Sequence, residues 1–256
     1  MRVVSLLFHD VFVGDPGESG FSSPAADRYK LSVGEFEQQL SVLHRSHLTP
    51  RSSSTHSSHS VRLTFDDGGA SYYTIVADRL EQLGWRGYCF VPTDFIGRTG
   101  FLSAAQIREL DARGHLIGTH SASHPARFSA LSRVEMRCEW ADSRKALEDV
   151  LGRPVTTGSV PGGYFSRAVA RAAADAGLQR LFNSEPVRST RPIDGCTVAG
   201  RFAIRRGAAP DFSRKLVHRA PWTRWCACAA WRTKGLFKPL LGDSYPRVAD
   251  WIQSRV

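Results

Sequence analysis

Several things are missing from this sequence, and each absence argues against a class of protein. No apolar run approaches the roughly 18–20 residues that a membrane span requires, so no spanning helix is expected. The start, Met1-Arg-Val-Val-Ser-Leu-Leu-Phe8, has one basic residue and a short apolar run interrupted by Ser5. It lacks the longer apolar region and small-residue cleavage site of a secretory signal; a buried strand suits it better. Cysteine is scarce: Cys89, Cys138, Cys196, Cys226 and Cys228 make an odd number with no CxxC pair. That argues against a disulfide framework and fits a reducing compartment. These absences lead to the expectation of a cytoplasmic protein, at most peripheral to the inner face of the membrane.

Acidic residues are nearly absent from one end. Twelve Arg and Lys face three acids from Arg201 onward, a balance of +9, which leaves +1 of the total +10 for the first 200 residues. Whatever the positive charge does, it does at the C-terminus; anionic lipid, a phosphorylated glycan carrier and nucleic acid are the candidate partners. Residues 221–238 interleave aromatics with positive charge, and Trp222, Trp225 and Cys228 or Ala229 fall on one helical face with Arg224, Arg232 and Lys234 around it. Such a helix suits peripheral contact with an anionic membrane. It equally suits a helix that packs its tryptophans on the rest of the protein. Nucleic acid is disfavoured, because no recognition motif accompanies the charge.

What is present is an ordinary globular composition, 42% apolar and 23% charged over 256 residues, enough for one large domain. Val3–Phe8 reads as a buried strand, followed by a Gly/Pro/Ser-rich loop. Ser32-Val-Gly-Glu35 is a capping box that opens a helix with Phe36, Leu40 and Leu43 on one face. Residues 52–60 read as a polar surface loop, in which His56 and His59 are solvated. Val61–Phe65 alternates as a strand, Tyr72–Leu83 is helical and Gly84 ends it. Strands at Gly87–Val91, His115–Gly118, Val155–Val160, Leu178–Phe182 and Phe202–Ile204 alternate with helices at Ser103–Arg113, Ser132–Leu151 and Ser166–Ala176. The remainder reads as helices broken at Pro221, Pro239 and Pro246. About seven strand–helix units imply a parallel sheet covered by helices, and such folds place chemistry at strand C-terminal ends.

Three polar clusters fall at those ends. Thr64-Phe-Asp-Asp-Gly-Gly69 sets two carboxylates at a strand end before a glycine turn. Two such charges held close favour a bound cation, which lets one ligate while the other stays free to take a proton. A plain Asp-Gly turn is the alternative. His120-Ser-Ala-Ser-His124 offers two imidazoles, which share a face if the segment is one helical turn. With one carboxylate they make a metal site with open positions; ordinary surface histidines are the alternative. The third cluster is Pro161-Gly-Gly163.

Together, Thr-Phe-Asp-Asp-Gly and His-Ser-x-x-His resemble the first and second motifs of the polysaccharide deacetylases, the NodB-homology or carbohydrate esterase family 4 proteins. The resemblance covers roughly residues 1–206. It implies an α/β fold, a distorted seven-stranded (β/α) barrel, with 207–256 as a basic, Trp-rich helical extension packed on the barrel or on a membrane surface. It also implies a divalent metal, usually zinc, held by Asp67, His120 and His124. Asp66 would be the general base, and the Gly162 N–H would stabilise the oxyanion. The implied reaction removes an acetyl or other acyl group from a sugar, or from a lipid-linked or nucleotide-linked glycan intermediate.

The pattern is incomplete. Ser159 stands where the family's third motif usually has the Arg that orients the catalytic aspartate. Phe202–Arg206 lacks the His that usually protonates the leaving amine. His9, at the end of the first strand, is the proposed substitute, with Asp10 as its orienting partner and Glu185 as a second candidate acid. Arg205 and Arg206 are candidate contacts to a substrate phosphate or carboxylate, and Tyr164 and Glu185 complete the candidate substrate contacts. Two other functions remain open: a C–N hydrolase acting on a small amide, and a degenerate barrel that binds a glycan without turning it over.

Overall fold

The computed structural model describes residues 3–46, 49–50, 60–218 and 222–231. Three expectations lie partly or wholly outside them: the polar loop at 52–60, the basic extension 207–256 with its aromatic stretch 221–238, and the helix breaks at Pro221, Pro239 and Pro246.

Twelve strands occur among the described residues: β1 (Val4–Phe8), β2 (Val11–Phe12), β3 (Leu31–Ser32), β4 (Thr49–Pro50), β5 (Ser60–Phe65), β6 (Tyr88–Val91), β7 (Leu116–Thr119), β8 (Thr157–Ser159), β9 (Arg180–Phe182), β10 (Thr190–Ile193), β11 (Cys196–Ala199) and β12 (Phe202–Ala203). One curled sheet runs in the order β10-β11-β9-β8-β7-β6-β5-β1-β12, and β4 pairs with β5 beside it. Every pairing along this path is parallel except β10 with β11. The architecture is the expected distorted barrel.

The alternation of side chains explains the curl. Cys89 and Val91 of β6 join the apolar cluster that also holds Phe36, Leu40 and Leu43 from the helix Val33–His44. Tyr88 and Phe90 point the other way and pack with Phe182 and Ala199 in a separate cluster. Gly118 leaves room for the Phe90 ring there: a Cβ at 118 would sit 2.7 Å from it. One face of the sheet is therefore covered by helices and the other is the barrel interior.

The helices start where the sequence signals them. Ser32–Glu35, Ser103–Gln106 and Ser132–Glu135 all close reciprocal capping boxes, and Gly152 ends the helix Arg133–Leu151 in the left-handed conformation (φ 67°). A π-helical turn at Tyr72–Val76 opens the helix that continues through Ala77–Gln82. The short strands β2, β3 and β4 were not expected, nor was the hairpin that β10 and β11 form around Asp194-Gly195, both with positive φ. In the C-terminal part, residues 222–231 are helical. Ala227 packs on the main core, while Trp222 and Trp225 are 69% and 61% exposed and stack on each other at 5.1 Å. No helix among the described residues is long and apolar enough to cross a membrane.

Candidate active site and metal centre

The parallel strands all direct their C-terminal ends to one edge of the sheet, and the three polar clusters meet there. Leu63 and Phe65 of β5 face the helix-covered core, so Thr64 and Asp66 face the interior. Continued extension would turn Asp67 outward. Instead the backbone becomes left-handed at Asp67 itself (φ 74°) and stays so at Gly68 (φ 62°). A non-glycine residue holds that conformation only where its surroundings enforce it. The result is two carboxylates side by side, Asp66 6% and Asp67 9% exposed.

The histidines converge by a different route from the helical turn considered above. The segment from His120 to His124 is an irregular turn with left-handed residues at Ser121 (φ 68°) and His124 (φ 54°). Glu139, from the helix Arg133–Leu151, pins it by accepting from the N–H groups of Ala122 (3.0 Å) and Ser123 (2.9 Å). The Ser121 hydroxyl accepts from the His124 N–H at 3.2 Å. His120 Nε2 then lies 3.4 Å, and His124 Nε2 3.5 Å, from the same oxygen of Asp67. The ligand atoms of the three residues lie within 4.8 Å of one another.

This donor set fits a divalent ion. His120 Nδ1 is 2.8 Å from the Ser159 carbonyl, an acceptor only, so that nitrogen carries a proton. In the neutral ring Nε2 then presents a lone pair toward a carboxylate oxygen, an arrangement that needs positive charge between them. Burial works against protonating His120, but Asp66 and Asp67 outweigh it and hold its pKa above the usual imidazole value. Burial likewise opposes ionisation of Asp67; the His120 and His124 hydrogen bonds outweigh it and hold that carboxyl well below the carboxylate range.

The cation missing at position 159 is supplied from elsewhere. Arg201 follows β11 and is fully buried. Its guanidinium donates to both oxygens of Asp66, at 2.7 and 2.8 Å. The same group donates to Ser159 Oγ (2.8 Å), Thr64 Oγ1 (3.2 Å) and the Asn183 carbonyl (3.0 Å). Ser159 Oγ donates in turn to Asp66 Oδ2 at 2.9 Å. Below it, the guanidinium lies 5.8 Å from the ring centroids of both Phe90 and Phe182. Burial alone would raise the Asp66 pKa; Arg201, then His120, reverse this and hold it below the usual carboxylate value. Asp66 therefore stays ionised and fixed in orientation. Sequence reasoning missed Arg201 and counted it with the basic C-terminal charge.

His9 is at the same strand-end edge, just past β1. Its ring lies 4.8 Å from that of Tyr29, and its Nδ1 is buried with no hydrogen-bond partner. Burial lowers its pKa; Asp67 and Asp66 oppose this, and Arg201 adds to it. Asp10 does not orient His9. Its carboxylate accepts instead from Ser19 Oγ (2.7 Å) and Ser71 Oγ (2.6 Å), which ties the 13–21 loop to the start of the following helix. Burial raises its pKa to about 6. It fills the space beside Gly69, where a Cβ would sit 1.9 Å from its Oδ1.

Gly162 is exposed in the short turn Pro161–Gly163 with φ 61°, and a Cβ there would meet the Tyr164 ring and the Ala126 carbonyl. Tyr164 lies under the Arg127 guanidinium (5.6 Å). Arg205 lies over Tyr29 (4.8 Å) and donates to its hydroxyl at 3.1 Å. Arg206 lies over Phe12 (4.7 Å) and donates to the Lys30 carbonyl at 3.3 Å. Glu185 is engaged otherwise than expected. Its carboxylate pairs with Arg191, and its carbonyl accepts from the Arg201 N–H at 2.9 Å, so it supports the arginine that holds Asp66.

A parallel curled barrel with an Asp–Asp pair, two convergent imidazoles and a clamped carboxylate at its open end defines a hydrolase class. The family model for polysaccharide deacetylases matches residues 53–181, half of the chain, and the protein belongs to that family. It is a hydrolase acting on carbon–nitrogen bonds, in a family of glycan deacetylases that depend on a metal. The chain is 28% identical over 195 residues to "Putative polysaccharide deacetylase YxkH" of Bacillus subtilis (strain 168), covering 72% of this chain and 67% of that protein. Among solved structures it resembles Streptococcus pyogenes deacetylase PplD in complex with acetate, with TM-score 0.72 and 19% identity, covering 85% of this chain and 98% of that one. It also resembles IcaB from Ammonifex degensii, with TM-score 0.68 and 22% identity, covering 87% and 97%. These two likenesses establish the fold.

Proposed function

We propose that this protein removes the acetyl group from an N-acetylated sugar, presented as a saccharide or as a lipid-linked or nucleotide-linked glycan intermediate. One observation carries the proposal: Asp66 is clamped in its ionised form by buried Arg201, beside a converging carboxylate and two imidazoles. Asp67, His120 and His124 would hold a divalent ion, and their mixed nitrogen and oxygen donors suit zinc. Such an ion lowers the pKa of a coordinated water and polarises the acyl carbonyl. Asp66 accepts the proton of the attacking water. The Gly162 N–H donates to the oxyanion, and the missing side chain lets the sugar approach the backbone. Burial holds the His9 pKa below the usual imidazole value, so His9 is neutral until it receives the proton that Asp66 took from the water, and the imidazolium then passes that proton to the departing nitrogen. The arrangement of Arg201 also answers one of the two grounds for a non-catalytic barrel, since the cation absent at Ser159 is present.

The test is acetate release from N-acetylglucosamine presented as the free sugar, a nucleotide diphosphate conjugate and a polyprenyl-linked conjugate. Release is expected from at least one. A chelator should abolish it and a divalent ion restore it. Release that survives exhaustive chelation, or none from any acylated sugar, would overturn the proposal.

The role of His9 is tested through the leaving group. An amine must be protonated as it departs; a nitrophenolate need not be. His9→Ala should cost about 10²–10⁴-fold in turnover of the amide and little in turnover of 4-nitrophenyl acetate. Equal losses on amide and ester would reduce His9 to a packing residue beside Tyr29.

A further inference from the structure

Three arginines on the loops that leave the open end of the barrel share one construction. Arg98 follows β6 and lies 4.6 Å from the centroid of the Phe95 ring. Arg127, three residues past the ligand His124, lies 5.6 Å from that of Tyr164. Arg205 follows β12 and lies 4.8 Å from that of Tyr29. Each ring connects to the catalytic end. Phe95 packs against Phe21 at 4.8 Å, and Phe21 against His124 at 4.5 Å. Tyr29 lies 4.8 Å from His9, and Tyr164 adjoins Gly162 and Gly163. Each of the three cations is thus linked through an aromatic ring to a loop at the open end.

A guanidinium laid over an aromatic ring uses its face and can keep its N–H edge for a ligand; Arg205 gives part of that edge to the Tyr29 hydroxyl at 3.1 Å, which leaves Arg98 and Arg127 as the candidates. That planar edge matches the oxygens of a phosphate or carboxylate. Neither Arg98 nor Arg127 forms an ion pair among the described residues, and both are exposed. Several acids on the neighbouring loops are committed elsewhere: Glu185 to Arg191, Asp27 to Lys30, and Glu139 to the Ala122–Ser123 turn; Asp94, in the turn before Arg98, is exposed and forms no ion pair among the described residues. A neutral glycan gives such a rim nothing to pair with.

We propose that Arg98 and Arg127 form an oxyanion-binding rim, and that the acylated saccharide taken by this site bears a phosphate or carboxylate close to the acylated sugar. The inference rests on the deacetylase reading for the identity of the saccharide. Its test reads binding separately from turnover, so that the two can fail independently.

The full-length protein is titrated by calorimetry with three probes: neutral N-acetylglucosamine tetramer, hyaluronan tetrasaccharide and UDP-N-acetylglucosamine. At least one charged probe should bind about tenfold or more tightly than the neutral one, the equivalent of one well-formed charge-assisted contact. Which of the two does so separates carboxylate from phosphate. The preference should shrink as sodium chloride is raised. It should also shrink in the Arg98→Gln/Arg127→Gln double variant, whose changes lie on exposed side chains. Equal binding of charged and neutral probes would overturn the rim. So would a preference that the double variant retains, because that assigns the anion to the basic C-terminal segment. Acetate release from the same probes bears only on the deacetylase reading.

Discussion

Arg201→Ala should lower kcat for acetate release by about 10²–10³-fold, the scale expected when a catalytic group loses its orientation. The guanidinium holds both oxygens of Asp66 and both partners are buried. Its removal leaves a carboxylate without its counter-charge, and breaking a buried pair in this way costs about 3–5 kcal/mol. The Asp66 pKa, held down chiefly by Arg201 against burial, would rise. A group whose folded pKa is depressed is ionised above that value, so the acidic limb of the pH–rate profile should move to higher pH in the variant. Two further variants separate orientation from folding. Arg201→Lys keeps the charge but not the two-pronged geometry and should recover only part of the rate. Ser159→Arg in the Arg201→Ala background returns a guanidinium from a position whose Oγ is already 2.9 Å from Asp66, and should raise the rate at least severalfold over Arg201→Ala. A folded Arg201→Ala protein with unchanged kcat and pH profile would show that Asp66 needs no such partner.

The sequence carried the barrel and the candidate metal-binding set because both are local. Alternation in β5 and β6, reciprocal capping boxes at Ser32, Ser103 and Ser132, and a Gly past the long helix are written within a few residues of where they act. Asp67 and the two histidines each follow a strand, and parallel strands bring their ends to one edge whatever their separation in the chain. What was not legible depended on distance or on backbone detail. Arg201 lies 135 residues from Asp66, and its neighbours in sequence give no sign of its partner. One signal was available: a buried aspartate whose expected arginine is a serine must draw a cation from another strand end, and Arg201 directly follows one. The β10–β11 hairpin carries mixed signals: Asp194-Gly195 is a strong turn signal, while Pro192 argues against a strand, and β10 lies at the sheet edge, where a proline is tolerated. The left-handed turns at Asp67, Ser121 and His124 replaced both simpler geometries, a bend at the glycines and a helical turn between the histidines. They are held by tertiary contacts such as that of Glu139, which sequence spacing does not report.

Asp66 and Asp67 adjoin in sequence yet take separate tasks, and that separation is the central claim. Asp67 shares one oxygen with both imidazoles. Asp66 is held by Arg201 and Ser159 and stands 3.9 Å from His120 Nε2. Asp66→Asn preserves shape and removes the proton acceptor. It should lower acetate release by about 10³-fold or more, the scale of losing an essential catalytic side chain. Metal binding should survive, because none of the three ligating residues has changed. The direct measurement is the divalent-ion content and acetate release of purified wild-type and Asp66→Asn proteins, side by side. The expected result is one ion per chain in both, with release lost only in the variant. Undiminished release by Asp66→Asn, or loss of the ion together with the activity, would contradict the division of labour between the two aspartates.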